Sequence, residues 1–512
     1  MAVPLEPTPP RGLSVPPHIP HTVINSLPSW EDNILCCIGR GDEFLRETTY
    51  PRFGIHPFLC KPPPGHQIFA VLFTAERNAV HKFYTFSGNG LSPRLAEVCL
   101  LRRAGDLRPT LGLPPAGSYF SEYYKRHSPL NSAEDAKRVI RARVAGMVDG
   151  FDENIRGVPG ASPDDVYLFA SGMQAIWRSH KLLAGALGSK DSRDTRKVAH
   201  VNFIYCDSYK FLELPNSTGY HFFTNETLDE LEALLETGTP ERPAIRALFT
   251  DFPGNPHLRS PDMKRLRGLA DRYNLPLIVD ETVGGYINVQ LLPYCDVVVS
   301  SLTKLFSGNA NVLGGAMMLN PTSRFYAEFK ARMEATYEDS FFEGDALVLE
   351  MNSREYAQRV AITNHNAEKL ADMLYRRSVL GGIKGSVLQA VHYPKYRTRE
   401  NFDRCRNPLA GKTGLPAFGY GYLLSATFTS LEAAKIFYSA LGCFKGSTLG
   451  TTFTLATAFT VIAYPPERME WAEEHGVEEC LVRFSVGVED TESILKCVSD
   501  ALDVAERESR ND

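Results

Sequence analysis

The run Val297-Val298-Val299-Ser300-Ser301-Leu302-Thr303-Lys304-Leu305-Phe306-Ser307-Gly308 carries an apolar stretch into hydroxyl residues, one lysine and a glycine-bearing loop that closes at Gly314-Gly315. Three successive valines predict a buried strand, because β-branched side chains suit a sheet covered on both faces. Lys304 falls just beyond the strand end. Dry surroundings disfavour an ammonium ion, so they lower the pKa of such an amine and make it a nucleophile toward aldehydes. Ser301 and Thr303, which flank it, present hydroxyls able to donate to a phosphate. A surface lysine after a strand explains the run equally well, so the other strand ends decide the reading.

Upstream, strands alternate with helices. The pattern predicts a helix over Ala133–Val148, a strand over Val166–Ala170 feeding a helix from Met173, and a strand over His200–Tyr205. A helix over Leu228–Leu235, a strand over Ala244–Thr250 and a helix over Ser260–Tyr273 follow, the last opened by Ser and Pro. Strands over Leu275–Val279 and Val297–Ser300 complete an α/β pattern in which a parallel sheet is covered by helices. A long helix over Ser353–Arg376 leads into a second region. It has strands over Val387–Tyr393, Gly421–Thr429 and Glu479–Ser485, and helices over Leu431–Leu441 and Thr491–Arg507. The first 130 residues, rich in Pro, Gly and aromatics, read as an irregular extension wrapped on a core. The division is therefore an arm and extension at 1–130, a large domain at 131–355 and a C-terminal domain at 356–512.

Composition narrows the function. The 512 residues are 43% hydrophobic and 22% charged, as in ordinary soluble globular proteins. A formal net charge of -5 argues against a nucleic-acid-binding surface. No apolar run approaches the about 20 residues that span a bilayer, and Met1–Pro20 reads as a proline-rich arm without a signal-peptide core. Ten scattered cysteines show no CxxC pair and no zinc spacing, which predicts reduced thiols, no metal and a cytoplasmic setting.

In open α/β sheets, ligands bind beyond the carboxyl ends of the strands. Ser171-Gly172-Met173 offers backbone amides at a helix start, an anion site. Tyr205 presents an aromatic that can stack on a planar ring, and Asn255, in the turn Thr250-Asp251-Phe252-Pro253-Gly254-Asn255-Pro256, can reach a ring oxygen. Asp280 closes its strand, and a carboxylate there is costly unless it meets a cation such as a protonated pyridine nitrogen. It precedes Lys304 by 24 residues, one strand-connection-strand unit. Taken singly, these are a turn glycine, a rim aromatic, a turn asparagine and a capping aspartate. Their order along consecutive strands points to pyridoxal 5'-phosphate, carried by Lys304, whose amine then moves protons.

With these residues on view, the sequence resembles the cystathionine γ-synthase family of Cys/Met-metabolism enzymes, and within it the fungal branch. The resemblance rests on Ser171-Gly172-Met173-Gln174-Ala175-Ile176, Phe252-Pro253-Gly254-Asn255-Pro256, Val279-Asp280-Glu281-Thr282, Ser300–Lys304 with Ser307–Gly315, and Leu481–Asp490. The fungal likeness lies in Ser26–Trp30, Tyr50–Phe53, Tyr393–Tyr396 and Thr398–Asn401. It implies a fold-type I transferase with a mostly parallel large-domain sheet and a smaller α+β C-terminal domain. It also implies that Gly172, Met173, Ser301 and Thr303 hold the phosphate, that Tyr205 stacks on the ring and assists proton transfer, that Asn255 sits near the ring oxygen, and that Asp280 pairs with the ring nitrogen. Arg483 would clamp the substrate carboxylate, and Thr448 stands where the family has a serine near the substrate. A tyrosine-x-arginine pair would cross to a neighbour's phosphate: Tyr124-Lys125-Arg126 by position, with Tyr50-Pro51-Arg52 sharing the spacing. A homodimer or homotetramer follows by family analogy.

The implied reaction is γ-replacement on an O-acylhomoserine, with cysteine giving cystathionine. Asn89 and Asn309 stand where aspartates are expected in the fungal housekeeping enzymes. They raise the alternative of an altered acceptor pocket taking a carbon nucleophile or sulfide. A γ-lyase, and a catalytically silent cofactor-binding regulator, are further readings.

Overall fold

The computed structural model describes residues 132–509 apart from 148–153, 184–195, 214–216, 413 and 465, together with Gly88, Ser92 and the backbone of four N-terminal strands. Tyr124, Arg126, Tyr50, Arg52 and Asn89 lie outside the described residues. Strands β1 (Ile24–Ser26), β2 (Asn33–Ile38), β3 (Phe53–His56) and β4 (Ile68–Phe73) form an antiparallel sheet in the order β1-β2-β4-β3. The irregular reading of that region is corrected here: Ile68–Phe73 is a continuous apolar run, and such runs make strands without alternating.

The large sheet consists of β5 (Val166–Phe169), β6 (Val198–Val201), β7 (Tyr220–Phe223), β8 (Leu248–Asp251), β9 (Leu277–Asp280), β10 (Val297–Ser301) and β11 (Gly315–Leu319). Their order is β5-β11-β10-β9-β8-β6-β7. β10, β9, β8, β6 and β7 run parallel, and β11 runs antiparallel between β5 and β10. The mostly parallel expectation holds, with β11 as the antiparallel strand. Gly315, read as the close of a loop, starts that strand opposite Ser301 and Phe169. The β6 strand also ends earlier than expected, at Val201, because Asn202 turns to a left-handed φ of 60° and leaves the ladder. β7 was not legible as a strand. Asp262, not Ser260, caps the helix Met263–Arg272 by accepting from the Arg265 amide.

Both sheet faces are apolar. Leu168, Val201, Leu248, Val279 and Val298 pack on one side with the helices Ala133–Val144 and Met263–Arg272. Phe169, Phe249, Ile278, Val297 and Val299 pack on the other beneath the helices Gly172–Leu183 and Tyr326–Thr336. Each fully buried side chain of this size contributes roughly 1.5–3 kcal/mol. This double cover leaves mainly the strand ends for polar chemistry.

The helix Tyr356–Arg376 leads to a five-stranded sheet of β12 (Leu388–His392), β13 (Leu423–Phe428), β14 (Phe444–Lys445), β15 (Leu455–Ala458) and β16 (Leu481–Ser485). Its order is β12-β13-β16-β15-β14, so β16 is paired on both edges. The helices Leu431–Ala440 and Thr491–Glu508 pack together and contribute to the same core. Among the described residues no helix is long and apolar enough to cross a membrane, no cluster of His, Cys, Asp or Glu could hold a metal, and six cysteines are free.

Candidate active site

Three residues past β10, the Lys304 amine donates to Thr448 Oγ1 at 3.0 Å. The chain after Lys304 is held by the buried Arg359, whose Nε donates to the Leu305 carbonyl at 3.0 Å and Nη2 to the Phe306 carbonyl at 2.8 Å. From the C-terminal side the turn Thr448-Leu449-Gly450 lies directly on the lysine. Gly450 has φ +72°, and a Cβ there would stand 2.4 Å from the Leu305 nitrogen. Burial first, then the nearby Arg483 charge, brings the Lys304 pKa down to about 8.

At the start of the helix Gly172–Leu183, the Gln174 amide donates to Ser171 Oγ at 3.1 Å, and that hydroxyl donates to the Gly88 carbonyl at 3.2 Å. Among the described residues no such bond occupies the Gly172 and Met173 amides, which are the candidate anion donors. Glycine is required at 172 because a Cβ would fall 2.4 Å from Ser301 Cβ. That approach sets Ser301 against the first turn. Thr303 closes the lysine loop: its hydroxyl donates to the Gly314 carbonyl at 3.3 Å and accepts from the Gly314 amide at 3.0 Å.

Two consecutive acids at the end of β9 meet opposite fates. Glu281 is fully paired, since Arg156 Nη1 reaches its oxygens at 2.8 and 2.7 Å while the guanidinium covers the Tyr286 ring at 4.2 Å. Asp280 accepts from the Thr282 amide at 2.8 Å, and no cation pairs with it among the described residues. Thr282 Oγ1 also accepts from the Ser301 amide, tying the ends of β9 and β10 together. In register with Asp280 on β8 stands a second carboxylate, Asp251. Both keep a little exposure in the open cleft. Burial pushes Asp280 up to about 6, and burial with the Asp280 charge pushes Asp251 well above the usual range.

Arg483 lies in the middle of β16 and is buried. It donates to Asn255 Oδ1 at 3.3 Å and to the Ser447 and Thr448 carbonyls at 2.9 and 3.0 Å, over the Phe459 ring. Among the described residues it has no carboxylate partner, and burial lowers its pKa to about 10. A buried guanidinium held by carbonyls suits an incoming carboxylate. Tyr205 stands four residues beyond β6, at the N-terminus of the helix Cys206–Leu212. It is 39% exposed and donates to Asp207 Oδ2 at 2.8 Å.

Lys304, Thr448, Arg483 and Asn255 thus form one connected set, with Asp280 and Gly172 at neighbouring strand ends. Asn309 does not face this set: its amide donates to Asn352 Oδ1 at 2.8 Å on the exposed side of the loop. Asp251, Thr282 and Arg359 escaped the sequence reading. Asp251 alone had a local signal, since it ends its strand as Asp280 does.

The arrangement suits pyridoxal phosphate: a deprotonable buried amine, glycine-cleared helix amides, and an acid without a cation. These are the features expected of a pyridoxal-phosphate-dependent enzyme of fold type I. The family model for Cys/Met metabolism PLP-dependent enzymes matches residues 123–503, and the chain belongs to that family. It is 36% identical to the cystathionine gamma-synthase-like enzyme iboG1 of Amanita muscaria, over 97% of this chain and 98% of that one. It is also 36% identical to the cystathionine gamma-synthase of Neurospora crassa, over 77% of this chain and 63% of that one. In fold it is similar to an O-acetylhomoserine (thiol)-lyase of Campylobacter jejuni that carries a pyridoxyl-lysine, with a TM-score of 0.57 at 20% identity over 72% of this chain and 86% of that one.

Proposed function

We propose that the chain catalyses γ-replacement on an O-acylhomoserine, joining its four-carbon amino-acid skeleton to a nucleophile, with cysteine as the acceptor that yields cystathionine. The observation that carries this reading is the link from Lys304 through Thr448 to Arg483. It sets a proton-transferring amine beside a carboxylate clamp.

Bound pyridoxal phosphate supplies an electron sink that acidifies the α and β protons of an amino acid. The residues do the rest. Gly172 and Met173 amides with Ser301 would hold the phosphate while Thr303 braces the loop; Asp280 would meet the ring nitrogen, Asn255 the ring oxygen, and Tyr205 the ring face. Arg483 holds the substrate α-carboxylate through two parallel N–H donors, which orients the α C–H toward Lys304. Lys304, whose lowered pKa of about 8 makes the neutral amine accessible near neutral pH, takes the α proton and later moves a β proton. The γ acyloxy group then leaves as a carboxylate, and the acceptor sulfur forms the new bond at the γ carbon. Thr448 keeps the amine aimed through its hydroxyl. The phosphate corner would be completed in a homodimer by Tyr124 and Arg126 of a second copy.

A carbon nucleophile or sulfide as acceptor would share every step up to loss of the γ group and differ only in the bond formed at the γ carbon. Incubation of the enzyme with O-acetylhomoserine and competing cysteine, sulfide and β-keto acid decides the matter by product analysis. Absence of cystathionine overturns the first reading, and 2-oxo acid formed without any acceptor would indicate γ-elimination.

A further inference from the structure

Beneath Asp280 lies a chamber that the proton transfers at Lys304 do not use. Side chains alternate along a strand, so Phe249 and Asp251 of β8 share the face that carries Ile278 and Asp280 of β9. Register sets His200 of β6 beside Phe249, and Asp251 beside Asp280. From the covering helix, His180 stacks on Phe249 with ring centres 3.8 Å apart. These groups, with Ser179 and Ser208, line a partly open cavity of about 20 Å³. That is room for one water, which needs roughly 10–15 Å³, and far too little for a cofactor ring.

Both histidines are buried, at 7% and 1% exposure. Among the described residues neither nitrogen of His200, nor Nε2 of His180, has a hydrogen-bond partner. Buried polar atoms are normally satisfied, so three such nitrogens around a water-sized cavity mark a hydrated site. Asp251 has a further tie: its carboxyl accepts from the backbone amide of Tyr205. It therefore links the residue covering the ring to the residue facing the ring nitrogen.

We propose that Asp251 is a positioning residue that holds the single proton of the Asp251–Asp280 pair, accepts the Tyr205 amide, and donates its O–H through one buried water to His200 and His180. This rests on the assignment of Asp280 to the ring nitrogen. Two carboxylates packed side by side cannot both ionise cheaply, and the one opposite a pyridinium keeps the charge. The proton then belongs to Asp251, which needs an acceptor. Neutral imidazoles supply it: burial drives His200 down to about 3, and burial with His200, Arg246 and Lys181 keeps His180 neutral. The neighbouring Tyr209 phenol is held neutral by burial and adds no charge.

The test compares Asp251→Asn, Asp251→Leu, His200→Phe and Asp280→Asn. The readouts are pyridoxal-phosphate affinity of the apo protein and the pH profile of visible absorbance in the loaded protein. Asp251→Asn, a neutral group that still donates and accepts, should stay within about threefold of the parent affinity and keep its pH profile. Asp251→Leu and His200→Phe should each weaken binding about tenfold, one lost buried hydrogen bond, and make the absorbance pH-dependent. If Asp251→Asn is as damaging as Asp251→Leu, the charge on Asp251 is what matters and the proposal is overturned. It is also overturned if Asp251→Leu and His200→Phe both behave as the parent while Asp280→Asn does not. A parent-like Asp280→Asn instead removes the ring-nitrogen assignment itself.

Discussion

The seven-stranded sheet brings Gly172, Asp280 and Lys304 to the cleft from beyond its strand ends, whereas the five-stranded sheet offers Arg483 from the middle of β16, bonded on both edges. In the first, both faces are covered largely by apolar packing and polar groups gather where the strands stop. In the second, side chains from within the strands reach across to the large domain, as Arg483 does to Asn255 and Ser425 to the Pro256 carbonyl. The first sheet thus holds the groups suited to the cofactor, and the second those suited to the substrate.

That separation can be broken by substitution. The largest expected effect is that of Lys304→Ala, which should abolish covalent capture of pyridoxal phosphate with its visible absorbance and reduce turnover by about 10⁴-fold or more. Retained turnover would remove the lysine from the chemistry.

Glu281→Gln tests whether the acid next to Asp280 is structural. It leaves Arg156 buried without its charge partner, at a cost of about 3–5 kcal/mol in a denaturation experiment. The surviving folded protein should keep its cofactor absorbance. Loss of absorbance at unchanged stability would join Glu281 to the site.

Arg483→Lys sharpens the comparison from the other sheet. An ammonium cannot form the two parallel bonds of a guanidinium, so KM for the amino acid should rise about 100-fold with cofactor affinity unchanged. A parallel fall in cofactor affinity would show that the two sheets do not divide the work.

Thr448→Val, which removes the hydroxyl partner of Lys304 at the junction of the two sheets, should lower kcat about tenfold. The mildest test changes no residue and follows pH instead. The Lys304 amine, with its pKa brought below 10.5 to about 8, is protonated below that pH and neutral above it. Capture of pyridoxal phosphate by the apo protein should therefore rise about tenfold per pH unit on the acid side and level off above about 8. A rate still climbing well beyond that pH would mean that the amine sits in water-like surroundings.

Legibility in the sequence followed the same division. Val297–Ser301, Leu277–Asp280 and Val166–Phe169 end where their apolar runs end, so Lys304, Asp280 and Gly172 could be named from local pattern. Tyr205 was named with its strand drawn too long, because nothing in Phe203-Ile204-Tyr205 announces the left-handed turn at Asn202. Arg483 and Thr448 came only through family resemblance, since a mid-strand arginine looks like any exposed one. β11 was hidden behind a glycine pair, whose reason is the carbonyl of Ser171, 2.1 Å from where a Cβ on Gly315 would stand.

By itself the sequence determined the α/β fold class and the ordered set of strand-end groups, because apolar periodicity and its termination are local properties of the chain. Only the tertiary structure decided that Thr303 braces the lysine loop, that Glu281 is neutralised by Arg156 while Asp280 is left for a cation, and that Arg483 and Thr448 close over Lys304. Those outcomes depend on distance, burial and counter-charge between residues far apart in the chain, which no local pattern contains.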